Sequence, residues 1–151
     1  MKNLLTISIL VLALTLSSCF RSYLDNYMIQ VEPNVPDTYD GRDVNVIGTV
    51  YVDSKDVTFY VWDSGQIDGD IISLIVNGKT VIDEYTLTGT EYSVDVSLKN
   101  TGYNYVLLYA HNEGDISPNT CALDIEDDSG RQSLTMSSNL STNGAYNIYV
   151  E

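Results

Sequence analysis

Three aspartates in one short run, Asp63, Asp68 and Asp70, come closest to a metal-binding pattern by type and spacing. Calcium takes six to eight oxygen ligands at about 2.3–2.6 Å, and a tight loop rich in carboxylates and carbonyls can supply them. Gly65 and Gly69 fall among the acids and permit the sharp turns that such a loop needs. Glu113 with Asp115, and Glu126 with Asp127 and Asp128, form two further acidic loops. Calcium is chemically reasonable if two of the three loops meet at one end of the fold. The spacing is not that of an EF-hand. Alternatively, Asp-Gly pairs form turns whose side chains bond nearby amides, and the acids serve solubility.

Other chemistry has less to work with. His111 is the single histidine, beside Asn112 and Glu113, and no Gly-x-Ser-x-Gly elbow exists to give it a nucleophile. A hydrogen-bonding role in a loop is expected for it. The acids fall mainly in turns or on wet faces, which does not suit the inward-facing carboxylate pair of a glycosidase. Two cysteines, Cys19 and Cys121, with one histidine do not make a usual zinc set. No catalytic residue is assigned, and the chain is expected not to be an enzyme. A net charge of −14 without a basic stripe repels phosphate backbones, so nucleic acid is excluded as an expected partner. Tyrosine is abundant, with twelve residues against two Phe and one Trp. Tyr103, Tyr105 and Tyr109 alternate along one run, giving either an exposed recognition face or ordinary sheet packing.

The elements that must position these residues read as strands. Period-two alternation takes over from Val44, and no amphipathic helical stretch follows. Val44 to Val52 forms a first strand, interrupted near Gly48. Val57, Phe59 and Val61 mark the next, ending at Trp62-Asp63. The apolar run Ile71 to Val76 suits a strand buried on both faces. Asn77-Gly78 then gives a type I′ hairpin turn, and Val81, Asp83, Tyr85 and Leu87 line one face of the returning strand. Tyr92, Val94, Val96 and Leu98 alternate with polar residues, so one face is buried and the other wet. Tyr103 to Ala110 is apolar on both sides and central. Cys121 to Ile125, Leu134 to Met136 and Tyr146 to Val150 complete the set. The expected fold is all-β: one antiparallel β-sandwich, jelly-roll or Ig-like, of about eight strands over 43–151.

Ahead of the domain, Lys2 and the apolar run Leu4 to Leu14 form a segment too short to span a bilayer, which takes about 20 residues. It fits the h-region of an export signal over 1–18. The run closes on Leu16-Ser17-Ser18-Cys19, which resembles the lipobox of bacterial lipoprotein signal peptides. The resemblance implies cleavage before Cys19, a diacylglycerol (palmitate-type) modification of its thiol, and a lipid-anchored envelope protein. With Cys19 acylated, Cys121 has no disulfide partner. Residues 19–42, with Pro33, Pro36 and Gly41, read as a tether in which a short edge strand is allowed. Neither an Asp directly after Cys19 nor an acidic run is present, so the expected location is the outer membrane, facing the periplasm.

The run Trp62-Asp63 … Asp68-Gly69-Asp70 … Leu74 … Asn77-Gly78, with Ala110-His111-Asn112 … Pro118-Asn119-Thr120-Cys121-Ala122-Leu123, is similar to a β-sandwich domain of bacterial secreted and envelope proteins. That resemblance covers roughly 57–150 and implies a fold and an extracytoplasmic setting, without an activity. Cys121 stands where a small residue such as Ala is expected there, which suits a packed thiol. The function expected is a non-catalytic binding or adhesion module for a glycan or envelope protein, with a structural subunit of an envelope assembly as the alternative.

Overall fold

A computed structural model describes residues 35–151. The signal segment 1–18, Cys19 and the tether as far as residue 34 lie outside the described residues. The described residues form ten strands: β1 (Thr38–Tyr39), β2 (Arg42–Val52), β3 (Asp56–Trp62), β4 (Ile71–Val76), β5 (Lys79–Thr86), β6 (Tyr92–Ser97), β7 (Gly102–Ala110), β8 (Asn119–Asp127), β9 (Gly130–Ser138) and β10 (Thr142–Val150). Six form one sheet in the order β1-β2-β10-β7-β4-β5, and four form a second in the order β6-β3-β8-β9.

The sheets pack as a sandwich because alternate side chains on each strand are large and apolar. Phe59, Leu74, Leu108, Leu123, Ile125, Met136 and Ile148 meet in the core, none more than 1% exposed. Each such side chain contributes about 1.5–3 kcal/mol by leaving water. A smaller apolar cluster of Ile75, Tyr105, Leu107 and Ala145 lies apart from this core, with Val35, Tyr39, Val44 and Tyr109 packed against it.

Most of the expected strands are present at their expected places. The β4–β5 hairpin turns on Asn77 and Gly78, with φ of 50° and 79°, the pair of positive values a type I′ turn requires. β7 lies inside its sheet, between β10 and β4. The interruption near Gly48 is a bulge: Ala145 pairs with Val46 and Tyr146 with Gly48, leaving Ile47 as the extra residue.

Three expectations are corrected. Among the described residues there are ten strands and not about eight, the first of them at Thr38, within the tether range where an edge strand was allowed. β1 has only two residues, too few to leave a period. The sandwich is not wholly antiparallel, because β2 and β10 pair in parallel. Parallel neighbours need a long crossover, and here nearly the whole domain is that crossover. Finally, Asp83 does not share a face with Val81, Tyr85 and Leu87. The β4–β5 register shifts twice and Glu84 takes a φ of 42°. Ile82 joins the core instead, while Asp83 accepts a hydrogen bond from Ser73.

Candidate functional site

The connection from β3 to β4 leaves the four-stranded sheet and enters the six-stranded one, so its residues cross one end of the sandwich. Backbone bonds fix both ends of it. Asp63 donates its amide to Thr88 O at 2.9 Å, and Asp70 O accepts from Leu87 N at 2.8 Å. Asp63 Oδ1 accepts the Gly65 amide at 2.8 Å, a local turn of the kind aspartate favours.

The β7–β8 connection closes over this loop. Ile116 donates its amide to Asp68 Oδ2 at 2.9 Å. Asn112 accepts from Ile71 N at 2.7 Å and donates to Gly69 O at 2.9 Å. At the start of β8, Thr120 donates its amide to Asp70 Oδ2 at 3.3 Å. Gly114 is required where it stands: its φ is 56°, and a Cβ there would lie 2.5 Å from Asp68 Oδ1. The loops at 63–70 and 112–118 therefore meet. Glu126, Asp127 and Asp128 do not join them, because they lie at the far end of β8.

Asp63, Asp68 and Asp70 are brought together as the sequence suggests, each offering an oxygen within 4.8 Å of the others. A recess of about 210 Å³ lined by these three acids, Gly65, Gln66, Ile116, Pro118 and Thr120 lies over them. Asp70 is 4% exposed, and its Oδ1, like that of Asp68, is buried without a hydrogen-bond partner. Burial, then the neighbouring Asp68 carboxylate, pushes the Asp70 carboxyl up to about 6 against the restraint of the Thr120 amide. Asp63 and Glu113 push in the same direction. Glu113 itself turns to the β9–β10 connection, where its Oε1 accepts the Leu140 amide at 3.2 Å.

His111 sits elsewhere, against the outer side of β4. Its Nε2 lies 2.8 Å from Ser73 Oγ, which also accepts the Glu84 amide at 3.0 Å and donates to Asp83 Oδ1 at 3.2 Å. With the proton on Nε2, His111 donates to a hydroxyl whose own proton is already committed to Asp83. The His111 ring packs edge-on against Tyr109, 5.0 Å between centroids. Cys121 is fully buried in β8, and burial pushes its thiol up to about 12.

The tyrosines divide in two. Tyr105 is buried and Tyr109 half-buried, with Arg42 stacked 4.1 Å from the Tyr109 ring centre. Tyr103 remains 38% exposed and belongs to a row that sequence reading missed. Tyr149 pairs in register with Tyr51 on one side and Tyr103 on the other. Its ring centre lies 5.9 Å from that of Tyr51 and 4.9 Å from that of Tyr103. Three strands thus carry one aromatic row, with Tyr51 56% exposed at its end. Only knowledge of the strand order could have found it.

Set against family models, curated proteins and solved structures, the chain matches none of them. The residues bear on function through the contacts just described.

Proposed function

We propose that the chain is a lipid-anchored bacterial envelope lipoprotein whose β-sandwich is a non-catalytic binding module for a glycan or an envelope protein. The observation that carries the binding role is the Tyr51–Tyr149–Tyr103 row, large aromatic area held at the surface by three neighbouring strands. Tyrosine offers an apolar ring and a hydroxyl at little entropic cost, which suits sugar faces and protein surfaces alike. The anchor rests on Leu16-Ser17-Ser18-Cys19 after the apolar run. Two or more acyl chains hold a protein on a membrane where one does not. The residues after Cys19 favour the outer membrane, facing the periplasm. The burial of Cys121, which leaves its thiol inaccessible, supports a non-catalytic role.

The test is binding on glycan arrays and envelope extracts by the intact protein and by the double variant Tyr51→Ala/Tyr103→Ala. Loss of binding in the folded variant supports the reading, whereas equal binding, or none by either protein, removes it. Mass spectrometry of the native amino terminus tests the anchor, and an unacylated terminus overturns it.

A second reading, a structural subunit of an envelope assembly, is favoured by the β2 edge. Beyond the two residues that β1 covers, that side of β2 has no partner strand among the described residues, and Val46 and Ile47 there are 45% and 40% exposed. Such an edge invites strand pairing. Cross-linking in intact cells to one fixed partner through β2 would favour this reading over a free binding module.

A further inference from the structure

We propose that Asp63, Asp68 and Asp70 form a calcium site that braces the β3–β4 connection beneath the β7–β8 loop. This goes beyond the anchor and the tyrosine row and depends on neither.

Three observations converge. Three acids of the single β3–β4 connection are folded into one recess that the β7–β8 connection also lines, and Asp70 Oδ1 and Asp68 Oδ1 are buried there without any donor. A buried carboxylate oxygen with no partner is costly, and a second beside it multiplies the cost. No cationic side chain offsets the charge: among the described residues the salt bridges are those of Arg131 with Glu91 and Asp124, away from this cluster. A bound cation answers all three at once.

The donor set selects the ion. The ligands are carboxylate oxygens with no imidazole or thiolate among them, which favours a hard cation over zinc or copper. Magnesium demands near-ideal octahedral geometry and gives up its waters reluctantly, whereas calcium accepts an irregular all-oxygen set supplied by one loop. Asp68 Oδ2 and Asp70 Oδ2 are engaged by the Ile116 and Thr120 amides, which leave the Oδ1 atoms free for an ion. The ion would brace the connection on which those amides, and Asn112, already close.

The test is thermal unfolding and titration calorimetry of the full chain, stripped with chelator and then supplied with calcium or magnesium chloride. Calcium is expected to bind with a dissociation constant of about 0.1–1 mM, the range of extracellular calcium modules, and magnesium at least about tenfold more weakly. At roughly a hundredfold excess over that constant, the melting temperature should rise by about 10 °C. Asp68→Asn and Asp63→Asn should each abolish the rise while remaining folded. Asp128→Asn, at the opposite end of the sandwich, should keep it. Identical melting with and without calcium, with no binding heat, overturns the site. A full response in both Asp68→Asn and Asp63→Asn overturns it equally, by placing the ion elsewhere.

Discussion

Thr120 donates its amide to Asp70 Oδ2 across 3.3 Å, joining the start of β8 in one sheet to the residue just before β4 in the other. The bond orients the carboxylate but neutralises only one of its oxygens. The Asp70 side chain is thus held in place by one neighbour and repelled by three, Asp68, Asp63 and Glu113.

Replacing Asp70 with Asn removes that repulsion and keeps the shape. In chelator at neutral pH, Asp70→Asn should melt higher than the parent chain by roughly 3–6 °C, or about 1 kcal/mol. A lower melting temperature by calorimetry would show that the carboxylate is satisfied without an ion.

The same crowding sets a pH dependence. The Asp70 carboxyl stands at about 6 in the fold against 3.8 in the unfolded chain, so the native state holds its proton more tightly. Its contribution to stability should be full below pH about 4, decline as pH rises to about 6, and stay flat above. Melting in calcium-free buffer across this range, taken as the difference between the parent chain and Asp70→Asn, measures the slope. A difference that grows in the parent's favour as pH rises would reverse the assigned sign.

Gly114→Ala places a methyl group against the Asp68 carboxylate at a backbone angle of 56°. The left-handed conformation alone costs about 1–2 kcal/mol for a residue with a Cβ. Denaturant unfolding should show at least that loss, and calcium binding should weaken along with it because Asp68 must move.

Ser73→Ala leaves the Glu84 amide and His111 without their shared acceptor. The expected cost is about 1–3 kcal/mol in denaturant unfolding. The calcium response should be unchanged, since Ser73 does not line the acidic recess.

Cys121 should resist thiol reagents in the folded protein. It is fully buried with its thiol pushed up to about 12, and the thiolate is the reactive form. Labelling should track global unfolding as denaturant rises, and rapid labelling of the native protein would contradict the packing.

Local features were the ones legible in the sequence. Alternation found β3, β6 and β8, and Asn77-Gly78 located a hairpin, because each is set by neighbours within a few residues. The three aspartates were visible for the same reason, lying in one loop. Which other loop joins them was not, since β8 separates the acids at 113–115 from those at 126–128 and carries the two groups to opposite ends. The parallel β2–β10 pair and the Tyr51–Tyr149–Tyr103 row likewise depend on residues nearly a hundred positions apart. The face of β5 was misassigned because Glu84 bends the backbone where a plain alternation assumes a straight strand.

The pairing of β2 with β10 has a consequence for the order of assembly. Among the described residues, the earliest long strand finds its only long neighbour in the nine-residue β10. Any machine that delivers the polypeptide amino terminus first must release it as far as Val150 before that seam can close in full. Until then Val50, Val52 and the bare margin of β2 stay exposed to chaperones and to other emerging chains, so closure of the domain waits on β10.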